Sequence, residues 1–212
     1  MNIKKQIFFL IVIGTIFSSC AKEKNETDTS VIFPLNVGNV WSYVDTTFHY
    51  NTHEIEVGSS SMRFDYFYTV GDFSGYSPIS VVKGNPVTFL NSDSDGNLEE
   101  YLFQSDSLIF STIHFKKNAE KGDKWKFKTA DYINGDYTKV TISESEMECI
   151  VSDTTISTPK GKFVCKGYKS SPNGGRDTFI SYLSENIGLI VTLHYEGKNL
   201  FQKSTLIDYY VK

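Results

Sequence analysis

Apolar and polar residues alternate with a period of two through most of the chain. Phe64, Tyr66, Tyr68 and Val70 alternate with more polar neighbours, and Ile109, Ser111, Ile113 and Phe115 do the same. Later, Leu189, Val191, Leu193 and Tyr195 alternate with Thr192, His194 and Glu196. After Gly197-Lys198-Asn199 the odd positions from Phe201 to Val211, with Thr205, Ile207 and Tyr209, continue the habit. Residues two apart share one face of a strand, so these runs predict half-buried strands. Turn chemistry separates them at Gly84-Asn85-Pro86, Asp95-Gly96, Asn134-Gly135-Asp136, Asn173-Gly174-Gly175 and Gly197, the spacing of antiparallel hairpins. Long helical periodicity is lacking. The expectation is an all-β fold of about ten strands with few or no helices, a strongly curved antiparallel sheet or open barrel rather than a flat sandwich.

The N-terminus breaks the pattern. Lys4 and Lys5 precede an apolar run from Ile7 to Phe17, interrupted by Gly14 and Thr15. That run is well short of the roughly 20 residues a membrane-spanning helix needs, and its order of charge, short apolar middle and small residues is that of a secretory signal. Phe17-Ser18-Ser19-Cys20 resembles the lipobox of bacterial lipoproteins, with Phe17 where leucine is commonest. The resemblance implies cleavage after Ser19 and a diacylglyceryl group on the Cys20 thiol. Multiple acyl chains hold a protein on a membrane stably where one does not. From Ala21 to Ser30 the chain is polar and predicted to be a disordered tether. The expected organisation is a signal peptide over 1–19, a tether over 20–30 and a single β domain over 31–212. Lys22-Glu23 resembles the signal that sends some lipoproteins to the outer cell surface, although Lys24 interrupts it. Attachment to the outer membrane of a gram-negative bacterium is expected, on its periplasmic face or at the cell surface.

Charge excludes one class of partner. The chain has 21 Lys and Arg against 25 Asp and Glu, a net charge of −4. Loss of Lys4 and Lys5 with the signal makes it more negative still. Acids are mixed into the Lys121–Lys128 segment, and Lys116-Lys117 is only a pair, so no basic stripe is left for nucleic acid. The 16 Phe, 13 Tyr and 2 Trp supply ample apolar surface for a core. With Cys20 lipidated, Cys149 and Cys165 are the remaining thiols. They flank a predicted hairpin with its turn at Thr158-Pro159-Lys160-Gly161. If Ser157 faces Lys162, Cys165 faces Thr154, about 16 Å along the strand from Cys149 and beyond the ~7 Å reach of a disulfide. Two buried free thiols are expected.

Gly38-Asn39-Val40-Trp41-Ser42-Tyr43 and Gly122-Asp123-Lys124-Trp125-Lys126-Phe127 share the pattern Gly-(Asn/Asp)-x-Trp-x-aromatic. The echo fits two similar strand starts feeding one core, and also a duplicated half-domain. Four segments together resemble the TapB-like secreted proteins of unknown function. They are Phe33–Tyr43, Gly122–Trp125, Thr158–Cys165 and Asn186–Ile190, with Lys160 where a small residue is usual. The resemblance implies a curved antiparallel β domain in the cell envelope and no catalytic residue.

Candidate chemistry is sparse. Asn91-Ser92-Asp93-Ser94-Asp95-Gly96-Asn97-Leu98 spaces oxygen donors as a calcium loop does, with Asp93, Asp95 and Asn97 as ligands. Asn91 replaces the first aspartate, however, and Leu102 occupies the closing position. An Asp-Gly hairpin tip explains the same residues without metal and is preferred. His49 and His53 would lie about 13 Å apart on one strand, too far to share a zinc ion, and His114 and His194 fall on other strands. Glu144, Glu146 and Glu148 share one strand face, and a solvated face accounts for them. Nucleophile elbows, phosphate loops and HExxH are absent. The sequence therefore points to a non-catalytic envelope lipoprotein anchored through Cys20, with no cofactor beyond the weak calcium candidate. Its curved sheet would bind an apolar ligand or an envelope protein. The alternative is a surface glycan-binding or adhesion module using exposed aromatic rings, and a hydrolase with a dispersed site ranks third.

Overall fold

The computed structural model describes residues 29–78, 86–133, 136–172 and 175–212. The signal peptide, Cys20 and nearly all of the tether lie outside the described residues, as do Gly84-Asn85, Asn134-Gly135 and Asn173-Gly174 of the predicted turns. The fold is all-β, as the alternation predicts, with thirteen strands among the described residues: β1 (Val40–His49), β2 (Glu54–Arg63), β3 (Tyr66–Val70), β4 (Phe73–Ser77), β5 (Val87–Ser92), β6 (Leu98–Gln104), β7 (Ser107–Phe115), β8 (Lys124–Ile133), β9 (Asp136–Thr158), β10 (Gly161–Ser170), β11 (Asp177–Ser184), β12 (Gly188–Glu196) and β13 (Asn199–Tyr210).

They form two antiparallel sheets. The larger has the order β2-β1-β13-β12-β11-β10-β9-β8, and the smaller is the meander β3-β4-β5-β6-β7. The large sheet is strongly curved but not closed. β9 pairs with β8 along its first half and with β10 along its second. Three steps separate β10 from β13, about 14 Å in a flat sheet. Yet Phe163 of β10 meets Tyr209 of β13 at 6.2 Å between ring centroids, and Lys160 bonds Asp208 at 2.5 Å.

Bulges make part of this curvature, and they correct the simple alternation. Ser42 faces Asp208 and Tyr43 faces Leu206, so Ile207 is an extra residue. It is 37% exposed, while Leu206 is fully buried in its place. Ile190 is the extra residue of β12 against β11 and lies in the core. Ile109 is the extra residue of β7 against β6 and points outward, with Phe110 buried beside it. An extra residue flips the faces beyond it. The run Phe64–Val70 is corrected too. Phe64 belongs to a corner between β2 and β3, fully buried in the main core, whereas Tyr66 is partly exposed on the small sheet.

Residues 30–35 join the sheets as a clasp. The Ile32 amide donates to Gly96 O in the β5–β6 turn (2.9 Å), and the Asn186 amide in the β11–β12 turn donates to Val31 O (2.8 Å). Ser30 Oγ donates to Glu185 and Lys117 Nζ to Ser30 O. Ile32, Phe33 and Leu35 are buried. The Phe33 ring lies 5.0 Å from Trp41 and 6.2 Å from Phe64, and those two meet edge-to-face at 5.8 Å. Each such side chain contributes roughly 1.5–3 kcal/mol of burial. Tyr76, Leu90, Leu98 and Phe115 of the small sheet complete this core. A second cluster of Val87, Phe89 and Phe103, edged by Tyr68, Phe73 and Tyr101, fills the small sheet's other face.

The sequence echo reaches well beyond six residues. Gly38 and Gly122 both have positive φ, +90° and +97°. The Gly38 amide donates to Phe64 O and the Phe64 amide to Asn39 O, just as Gly122 donates to Cys149 O and Cys149 to Asp123 O. Across the hairpins Trp41 faces Met62 and Trp125 faces Met147. The two units sit at opposite ends of the large sheet.

The clasp generates a paired test. Gly188 has a φ of +93°, and a Cβ there would meet the Phe33 ring at 3.0 Å; Gly122 has open space around its Cβ position. Alanine in left-handed backbone costs ~1–2 kcal/mol at either position. Gly188→Ala should lose a further ~1–3 kcal/mol, because Phe33 is wedged against Trp41 and overpacking costs that much. Denaturant melts of the two variants measure the difference, and equal losses would contradict the wedge.

Candidate functional site

Most of the candidate residues singled out in the sequence and described in the structure have a structural partner. Asp93 Oδ1 accepts from the amides of Asp95 and Asn97 at 2.9 Å, and its Oδ2 accepts from Asn97 Nδ2 at 2.8 Å. Asn97 Oδ1 in turn accepts from the Lys117 amide. The loop thus turns its best oxygen donors inward, onto its own N–H groups. His49 pairs with Glu56 at 3.4 Å on the exposed β1–β2 hairpin, and His53 sits in its turn. His114 packs on Phe127 and lies 2.6 Å from Glu100. His194 stacks on Phe179 at 4.4 Å beside Asp177. Among the described residues no group of three His, Cys, Asp or Glu is placed to hold a metal ion.

The thiols follow the predicted register: Ser157 faces Lys162 and Cys165 faces Thr154. Both cysteines are free and buried. Burial pushes the Cys165 thiol up to about 11 and raises Cys149 as well. Thiolate is the reactive form, so neither is poised as a nucleophile near neutral pH.

Polar groups converge at a place that no sequence motif marks. The small sheet's edge strand β7 and the large sheet's edge strand β8 run close together, and three side-chain bonds hold this region. Trp125 Nε1 donates to Ile113 O (3.1 Å), the Lys128 amide to Thr112 Oγ1 (3.0 Å) and Tyr168 OH to Lys116 O (2.8 Å). Burial raises the Tyr168 phenol far above its ordinary value, so this donor keeps its proton. Between the strands lies a cleft of about 420 Å³, open to solvent and lined by Glu99, Ser111, Thr112, Ile113, Lys116, Trp125, Lys126, Phe127, Lys128 and Glu144.

Alternation along β8 aims Trp125 and Phe127 inward and Lys124, Lys126 and Lys128 outward, opposite Glu148, Glu146 and Glu144 of β9. The shorter ion pairs slip one step from this register. Lys124 takes Glu146 (3.0 Å) and Glu148 (3.4 Å), and Lys126 takes Glu144 (2.6 Å). Lys126 accordingly holds the Glu144 carboxyl below its ordinary value. Lys128, at the end of the ladder, faces the Glu144 that Lys126 bonds and adds to the lowering of its carboxyl without a salt bridge of its own among the described residues. Lys116 Nζ sits 5.2 Å over the Trp125 ring. Its neighbour Lys117 points the other way and is buried against the clasp.

The Asp93 geometry sets an expectation for calcium. Thermal melts with added Ca²⁺ and with chelator should coincide, whereas a site filled at a hundredfold excess over Kd would add about 2.7 kcal/mol. Asp93→Ala should lower stability by roughly 1–3 kcal/mol in both solutions, since it strips acceptors from the turn's amides. A calcium-dependent shift that vanishes in Asp93→Ala would restore the metal reading.

Two solved structures align with the chain. A putative lipoprotein from Parabacteroides distasonis ATCC 8503 does so with a TM-score of 0.43 and 16% sequence identity, over 86% of this chain and 100% of its own. A putative exported protein with YmcC-like fold from Bacteroides fragilis NCTC 9343 gives a TM-score of 0.38 and 14% identity, over 85% and 99%. No family model matches the chain, and no curated protein matches it.

Proposed function

We propose that this chain is a cell-envelope lipoprotein, held on the outer membrane through Cys20, whose β domain is a non-catalytic binding module with its ligand site in the β7–β8 cleft. The anchor rests on the signal and the lipobox-like Phe17-Ser18-Ser19-Cys20. A binding role is favoured over a catalytic one because the obvious reactive groups are spent elsewhere. The thiols are buried and raised, Glu144 and Glu146 belong to an ion-pair ladder, and His114 is enclosed beside Glu100.

One observation favours the interaction module over the carrier. The aromatic side chains fill the interior by packing on one another, from Phe33–Trp41–Phe64 to Phe115–Tyr168–Trp125. The β7–β8 cleft, in contrast, is open and sets hydroxyls, ammonium groups and carboxylates around an apolar wall of Ile113, Trp125 and Phe127. Such a lining recognises a polar ligand, which favours the glycan-type module over transport of an acyl chain.

Two substitutions in the full chain test the two parts. Cys20→Ser should release the protein from membranes washed in high salt and abolish incorporation of a fatty-acid label, with an unchanged melt. Retention on the membrane would sink the anchor. Ser111→Trp places a large ring in the cleft from an exposed position. It should abolish binding of an oligosaccharide that the unsubstituted protein retains, and full binding would move the site elsewhere.

A further inference from the structure

We infer that the β7–β8 cleft takes an acidic saccharide, a hydroxyl-rich ligand whose carboxylate or phosphate lies between Lys128 and Lys116. The inference rests on the reading of that cleft as the ligand site and adds the chemical class. Its first support is the slipped ladder. Three lysines of β8 face three glutamates of β9, but Lys124 takes two carboxylates and Lys126 bonds Glu144, the acid that Lys128 faces, so Lys126 and Lys128 share one carboxylate and one positive charge is in excess at the cleft. The second is Lys116. It is half-buried, has no carboxylate partner among the described residues, and rests on the Trp125 face. Tyr168 fixes its backbone from below. The lining thus sets Lys116, Lys126 and Lys128 against Glu99 and Glu144, a local positive excess in a protein of net negative charge.

The other lining groups say why the anion is a sugar. Thr112 Oγ1 accepts the Lys128 amide, so its own O–H is free to donate, and Ser111 adds a second hydroxyl. Glu99, which takes the Tyr101 hydroxyl, and Glu144, which takes Lys126, retain acceptor oxygens. Carboxylates would repel a bare anion, but they accept from the hydroxyls of a saccharide. Ile113, Phe127 and the half-buried Trp125 ring supply an apolar wall for the C–H face of a pyranose. A volume of about 420 Å³ lies at the small end of ligand pockets, ~300–1,000 Å³. Because the cleft is open, the rest of a longer chain can run out of it. Two isolated lysines are too few for nucleic acid, which needs a continuous basic track.

The test is calorimetry on the detergent-solubilised full chain with three probes: a uronic-acid tetrasaccharide, its methyl-esterified neutral form and a hexose phosphate. Lys128→Ala and Lys116→Ala are compared with Lys203→Ala, an exposed lysine on β13 away from the cleft. The uronate should bind at least tenfold more tightly than its neutral ester and weaken as salt rises. Lys128→Ala should weaken it roughly three- to tenfold, and Lys203→Ala should leave it unchanged. Tighter binding of the hexose phosphate with the same dependence on Lys128 would assign the anion as phosphate. Equal binding of acidic and neutral probes, blocked by Ser111→Trp and indifferent to Lys128→Ala, would overturn the charge assignment while the cleft stands as the site. If none of the probes binds, or binding persists in Ser111→Trp, the cleft reading fails first and takes the inference with it. Thermal melts of each variant separate a lost contact from a lost fold. Lys128 is exposed, so its alanine variant keeps the test alive should Lys116→Ala unfold.

Discussion

Two sheets of unequal size share one core, and the segment that makes this possible is the stretch from Ser30 to Leu35. Its backbone bonds one turn of the small sheet and one turn of the large sheet, and Ile32 and Phe33 fill the space between. Without Phe33 the Trp41 and Phe64 rings lose their common neighbour. The amides and carbonyls that the clasp satisfies at Gly96 and Asn186 would have to find water in a closing interior. Asn39 extends the same knot. Fully buried, it donates to Pro34 O and accepts from the Lys212 amide, so both ends of the domain are tied at one place.

That arrangement determines where open space is left on the molecule. A curved sheet rich in aromatic rings could enclose a cavity, but here the clasp and the small sheet supply the side chains that occupy the concave face. Polar access is displaced to the edges. At β7 and β8 the two sheets are joined by side-chain bonds rather than a backbone ladder, and the resulting gap is the cleft. Lysines along β8 also blunt an edge strand that would otherwise invite pairing with another chain. In the proposed reading the same residues serve solubility and recognition, and the slipped ladder with Glu144 and Glu146 is what distinguishes Lys128 from its neighbours.

Much of the fold is legible in the sequence. Alternation and turn chemistry predict the class, and the register of β9 against β10, with Cys165 opposite Thr154, follows from one hairpin turn. What escapes are the bulges. Ile109, Ile190 and Ile207 are strong strand formers that continue an alternating pattern, and nothing local marks them as extra residues. The corner at Phe64 is hidden for the same reason, since Phe64 and Tyr66 alternate although they serve different sheets. The cleft was obscured by its own charge balance. Lysines at 124, 126 and 128 look neutralised by nearby acids until their pairing shows two of them sharing Glu144. Ser111 and Thr112 join them only through the packing of β7 beside β8, a long-range contact with no periodic signature.

A filled interior is what makes the proposed recognition external. Native mass spectrometry of the Cys20→Ser protein isolated from bacterial envelopes, followed by solvent extraction, addresses it directly. The expected result is the mass of the polypeptide alone and an extract free of lipid. A co-purifying lipid, held in the Cys20→Ser chain and lost when Leu206 is enlarged to tryptophan, would contradict it and restore the carrier.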